Sequence, residues 1–229
     1  MNFSKFIKPL GLTCALIAST AAHASLCDTG RRQSPIDIPA QVTSQPKQPP
    51  MLTSYQRAPL RLANDGHTLR VRFAKAGELV LGHERYALQQ FHFHTPGGDK
   101  LNGEVFEFAA HILHKSVSGQ LLAIVVPFRI GAESPMLTQV LPHVPTKVNG
   151  DHVIDKVQVN VEDLLPRKRS YYRYSGSLTD APCTENVEWL VMKEPLTLSK
   201  AQLATWRSHF KDNMRGVNPL NGRAVLESD

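Results

Sequence analysis

Long apolar runs are missing from this 229-residue chain. No stretch reaches the roughly 20 consecutive apolar residues that a bilayer-spanning helix needs, which argues against a membrane protein built on such helices. A large surplus of one charge is missing too: 26 Lys+Arg stand against 20 Asp+Glu, a formal +6, with 41% hydrophobic residues. That balance belongs to a chain that buries a core, not to a disordered one. Cysteine is scarce, with three residues, too few for a disulfide-held mini-domain. No cysteine spacing suits a zinc finger, and no Gly-rich phosphate loop, nucleophile elbow or internal repeat occurs. His83-Glu84 opens like the H-E-x-x-H of zinc proteases, but Ala87 stands where the second histidine must be. The pI near 9.3 permits an acidic partner without requiring one. Arg167-Lys168-Arg169 could meet an acidic polymer, but three basic residues beside a strand read better as a solvated face, and no nucleic-acid partner is expected.

The chain opens with an export signal. Lys5 and Lys8 precede an apolar run from about Leu10 to Ala22, followed by Ala22-His23-Ala24, an A-x-A cleavage pattern. Residues 1–24 are expected to be removed, leaving no membrane anchor. Taking 24 residues from 229 leaves 205, the domain 25–229, and losing Lys5 and Lys8 lowers the charge from +6 to +4. Cys14 leaves as well, so an odd count becomes the pair Cys27 and Cys183. In an oxidising compartment, periplasmic or secreted, such a pair is a candidate disulfide, with two free thiols as the alternative.

Strand signals dominate the remainder. Leu69 to Phe73 alternates with period two, and Ala87 to His94, Val105 to His114, Leu121 to Phe128, Val157 to Val161 and Val187 to Met192 read as strands. Leu121 to Val126 is apolar on both faces, as a central, doubly covered strand would be. Ser199 to Gln202 is a capping box, and Leu203, Trp206 and Phe210 follow at helical spacing. A shorter helix is expected from Ser134 to Val140. The expected fold is a mostly β single domain around a large, mainly antiparallel, twisted sheet with a few peripheral helices.

Chemistry concentrates in the histidines. In Gln90-Phe91-His92-Phe93-His94 the two histidines share one face of a strand and the two phenylalanines the other. His111 and His114 lie on a second strand and face opposite ways; one of them could complete a three-histidine set. Three histidines with a fourth position left open form a catalytic zinc arrangement, for which carbonic anhydrase is the standing example. Spacing alone also suits two surface histidines on a half-exposed strand.

With these motifs, the chain resembles the α-class carbonic anhydrases, particularly exported bacterial ones. The resemblance runs in order through Arg32 to Ile38, Asn64-Asp65-Gly66-His67, the two histidine strands, Tyr172 to Thr179 with Pro182-Cys183, Val187-Glu188-Trp189, Lys193-Glu194-Pro195 and Asn213 to Arg223. It implies reversible hydration of CO2 to bicarbonate and a proton by zinc-bound hydroxide, with Zn2+ on His92, His94 and His111. Zinc lowers the pKa of its water to about 7 in carbonic anhydrase, the type case for this effect. His67 falls at the proton-shuttle position and Thr179 at that of the hydroxyl orienting the hydroxide. Gln90 falls at the partner of His92, and Asn213 at a residue whose backbone supports the second ligand. Leu113, Ile124, Leu178, Val187 and Trp189 fall on the apolar wall for CO2. Cys27 and Cys183 fall at a disulfide pair. A homodimer is compatible with the resemblance.

The pattern is broken in four places. Gly97-Gly98 replaces Ser-Glu, removing the carboxylate that accepts the threonine hydroxyl. Ala109 replaces a glutamate that bonds the ring of the third ligand; Glu107 and Asp99 are the nearest candidates to stand in for it. Asp180 replaces a threonine beside Thr179. Only Ser25 and Leu26 precede Cys27 in the mature chain, where relatives have an aromatic-rich segment. These departures point to a slower enzyme, with a non-catalytic zinc-binding relative as the alternative and weak ester hydrolysis as a side activity.

Overall fold

The computed structural model describes residues 25–42, 46–148 and 150–229. The expected signal segment and Cys14 lie outside the described residues. The principal strands are β1 (Ala58–Asn64), β2 (Leu69–Arg72), β3 (Glu84–His94), β4 (Phe108–Ser116), β5 (Leu121–Ile130), β6 (Gly150–Val159), β7 (Tyr171–Ser177), β8 (Glu185–Met192) and β9 (Leu226–Glu227). They belong to one 12-stranded sheet in the order β6-β1-β2-β3-β4-β5-β8-β7-β9. Along this order neighbours are antiparallel except for β5 and β8, which form a parallel seam near the centre; off it, the short strand Leu196–Leu198 also runs parallel to β5. The mainly antiparallel expectation holds, with these two parallel pairings of β5 as its exceptions.

The doubly apolar run in β5 does what its composition requires. Leu122, Ile124 and Val126 enter one core cluster, and Ala123 and Val125 enter a second on the other face of the sheet. The larger cluster is closed by two helices, α1 (Pro135–Val140) and α2 (Lys200–His209). Ser134 caps α1, its side chain accepting from Leu137 N–H. At α2 both bonds of the capping box form: the Ser199 hydroxyl accepts from Gln202 N–H, and the Gln202 side chain accepts from Ser199 N–H. This fixes the entry of α2 so that Trp206 lies on the back of the sheet, with ring centroids 5.4 Å from Phe93 and 5.2 Å from Phe108.

Two boundaries differ from expectation. β4 begins at Phe108, not Val105, because the preceding chain turns back and Phe106 O accepts from Gly97 N–H. β6 spans Gly150–Val159 and stops before Val161, where Asn160 caps a short 3-10 turn through its bond to Glu162 N–H. β3 carries a bulge between Leu88 and Gln90 in its pairing with β4. Before it, Tyr86 and Leu88 face the large core; after it, Phe91 and Phe93 do. The extra residue inverts the parity of the strand and sends Gln90, His92 and His94 to the opposite face.

Candidate metal centre

His92 and His94 project from β3, and His111 on β4 is the register partner of His92. All three are buried. Their ring centroids lie 4.8, 5.3 and 4.5 Å apart, and one potential ligand atom from each lies within 4.8 Å of the others. The phenylalanines between the ligands brace the strand from behind, since Phe93 stacks on Phe108 at 5.2 Å. His114, on the same strand as His111, faces the large core and meets Tyr55 Oη through Nε2 at 2.7 Å. The question left open by spacing is thereby decided geometrically: His111 joins the pair and His114 does not.

The donor set suits a divalent metal. His92 Nδ1 donates to Gln90 Oε1 at 3.0 Å, and His94 Nδ1 donates to the Asn213 carbonyl at 3.2 Å. Each bond places the proton on Nδ1 and leaves Nε2 with a bare lone pair. His94 Nε2 is buried with no partner, the kind of orphaned acceptor that a cation would satisfy. Burial, and secondarily the neighbouring imidazoles, hold His92 and His111 well below the ordinary histidine range, and burial lowers His94 to about 4. The three rings are therefore neutral near pH 7, as metal ligation requires. Asn213 is itself fixed: its Oδ1 accepts from Thr95 N–H at 2.9 Å, and its Nδ2 donates to His67 O at 2.9 Å and Phe93 O at 3.2 Å.

A cavity of about 320 Å³ opens above His92 and His111. Leu113, Ala123, Leu178, Val187 and Trp189 form its apolar wall, and Thr179, Arg70 and Asp180 contribute its polar groups. Trp189 is held by its Nε1 bond to Ser177 O at 3.0 Å and meets the His111 ring edge-on at 5.2 Å. Ile124, expected on this wall, is not there. Alternation along β5 turns it into the large core, and Ala123 takes the place facing the cavity. His67, half-exposed, lines an adjoining recess that shares Thr179 and Asp180 with the cavity, and its ring centroid is 6.3 Å from that of His94.

Two departures from the expected pattern have visible consequences. A Cβ on Gly98 would lie 2.7 Å from Met214 Cε and 2.8 Å from its sulfur, so the methionine side chain occupies the space a larger residue would need. Among the described residues no hydrogen bond engages the Thr179 hydroxyl. Ala109 is fully buried, and neither ring nitrogen of His111 has a hydrogen bond among the described residues, Nε2 being enclosed as well. Glu107 pairs instead with Arg207 at 3.2 Å, and Asp99 accepts from Ile36 N–H and from Tyr174 Oη. Neither takes the place of the missing glutamate.

Sequence reasoning missed Arg70 and Ala123. Arg70 sits on β2 opposite His92, and its alternation with Leu69 and Val71 was the available signal. The turn carrying Thr179 and Asp180 ends at Cys183, which donates N–H to Asp180 O at 2.8 Å and is disulfide-bonded to Cys27.

The sequence pattern of eukaryotic-type carbonic anhydrases matches residues 19–229. A carbonic anhydrase of Pectobacterium carotovorum is 36% identical over 204 residues, covering 88% of this chain and 82% of its own. One from a Nostoc species is 34% identical over 207 residues, covering 89% and 78%. The solved α-carbonic anhydrase of Thermovibrio ammonificans superposes with a TM-score of 0.84 at 38% identity, covering 88% of this chain and 89% of that one. With this sheet, these cross-strand histidines and these relatives, the chain belongs to the α-carbonic anhydrase family.

Proposed function

We propose that this protein interconverts CO2 and bicarbonate using Zn2+ held by His92, His94 and His111. The observation that carries this reading is three buried imidazoles whose ligand atoms lie within 4.8 Å of one another, His92 and His111 lining a half-apolar cavity. Zinc, when bound, acts as a Lewis acid and makes a water ionise near neutrality. The chain's own side chains do the rest. Leu113, Leu178, Val187 and Trp189 offer a surface from which an uncharged gas displaces water at little cost. Thr179 presents a hydroxyl that can both donate to and accept from the attacking water, with no protein acceptor enforcing one role. His67 has an imidazole placed to carry a proton from the cavity to solvent. Gln90 and Asn213 fix the rings of His92 and His94.

Export to the periplasm or the medium, with loss of residues 1–24, is supported by the Cys27–Cys183 disulfide. Among the described residues no helix is long and apolar enough to cross a membrane. Of the basic triplet, Arg169 is paired with Glu162. A homodimer is compatible with the domain.

The free Thr179 hydroxyl and the unsupported His111 favour a rate below that of relatives with intact carboxylates. One sample of purified protein should hold about one zinc and accelerate CO2 hydration in stopped flow, with the acceleration lost on chelation. A rate equal to the buffer blank at full zinc occupancy would sink the proposal and leave a non-catalytic metal-binding relative.

A further inference from the structure

β2 places Arg70 beside His92 on the cavity face. Arg70 Nε donates to Asp65 Oδ2 at 2.6 Å and its Nη2 donates to Asp180 Oδ2 at 2.9 Å. Asp65 is in turn held by the backbone N–H groups of His67 and Thr68, at 2.9 and 2.7 Å. The other oxygen of Asp180 lies 3.8 Å from His67 Nε2. Asp65, Arg70, Asp180 and His67 thus close into a ring at the cavity mouth, with two carboxylates against one guanidinium. Arg70 and Asp180 are the charged groups lining the cavity among the described residues, and Asp180 directly follows Thr179.

This arrangement makes Arg70 a weaker receptor for anions, because two carboxylates already occupy its Nε and Nη2 donors. It also fixes Asp180 where a free side chain would turn to solvent. A carboxylate beside the reacting centre repels an anion in the cavity and leaves a neutral molecule untouched.

We propose that Asp180, clamped by Arg70, is a specificity residue acting against anions: it weakens the hold of the cavity on bicarbonate and other monovalent anions while admitting CO2. The proposal rests on the carbonic anhydrase reading of the same site. It assigns the unusual aspartate a role in product release and in resistance to anionic inhibitors.

The test is a thiocyanate titration of the full-length mature chain, with cobalt(II) replacing zinc so that visible absorption reports anion binding. Asp180→Asn keeps an acceptor for Arg70 and removes the charge; the dissociation constant should fall at least about fivefold, the effect of one unit charge about 4 Å from the anion even at the dielectric of bulk water. Arg70→Gln leaves Asp180 unneutralised and should raise the constant, whereas Arg70→Lys should stay near the parent value. Opposite shifts for Asp180→Asn and Arg70→Gln are an outcome that mere scaffolding of the turn cannot produce. An unchanged or weaker affinity in Asp180→Asn, or both variants moving together, overturns the proposal. Failure of the parent chain to take up either zinc or cobalt overturns the metal reading beneath it, a separate result visible before any anion is added.

Discussion

At the scale of single residues, the consequential position is Ala109. His111 has no protein partner for its enclosed Nε2, and such a partner is typically worth 10–100-fold in metal affinity or activity. Ala109→Glu should tighten zinc by about that factor, read by competition with a chromophoric chelator. Adding Gly98→Glu requires Met214 to yield, so the pair should be built with Met214→Ala. A second residue-scale prediction concerns His114. Burial lowers its pKa to about 4, whereas an unfolded histidine titrates near 6.5. The unfolded chain therefore binds the extra proton between these values, and stability is present above about 6.5 and lost as pH falls toward 4. The three metal-site histidines push the same way in the metal-free protein. Asp99 opposes them: burial raises its carboxyl to about 6, so its contribution favours the folded state at low pH and is lost as pH rises through 6. One aspartate offsets only part of four histidines. Denaturation midpoints of metal-free protein should fall from pH 7 to pH 5, with His114 supplying up to about 1.4 kcal/mol per pH unit. A His114→Gln variant should show a shallower fall. The H-x-H pair was legible because strand alternation is a local property. The choice between His111 and His114 was not legible from spacing, since it depends on a cross-strand register. Ile124 failed for the same reason: its neighbours on β5 were readable, but which face met the metal was not.

At the scale of elements, the capping box of α2 was legible to the residue, since it is encoded within four positions. Its value is structural: the helix carries Trp206 onto Phe93 and Phe108 behind the ligand strand. Ser199→Ala should cost about 1 kcal/mol in urea denaturation and leave the zinc content at one per chain. The β5–β8 seam was not legible. Parallel partners joined through more than fifty residues leave no local mark, and the alternation of β8 is equally consistent with an antiparallel neighbour. Arg70 was overlooked at this scale as well, because a charged residue on an amphipathic strand is ordinarily turned to water. Here the far side of β2 is the rim of a cavity.

At the scale of the whole molecule, the disulfide ties the first described turn of the chain to the loop that carries Thr179 and Asp180. Reduction, or Cys27→Ser, should cost roughly 5 kcal/mol in the loop-entropy model for a separation of 156 residues. The same change should also lower CO2 hydration at temperatures where the chain stays folded, because the Thr179 loop loses its anchor. Stopped-flow rates before and after reduction, alongside near-ultraviolet dichroism to confirm folding, check this. The large sheet has one further consequence, through the bulge in β3. One face of the sheet holds the large core and the other holds the metal ligands, and a single count of residues assigns each side chain to its face. Deleting Gln89 changes that count by one. Either the phenylalanines and histidines trade places, or the start of the strand loses its own core residues. Metal binding and cooperative unfolding should then disappear together, whereas deleting a residue from an exposed loop tip such as Val117–Ser118 should spare both. In this protein an odd number is a more damaging lesion than a large one.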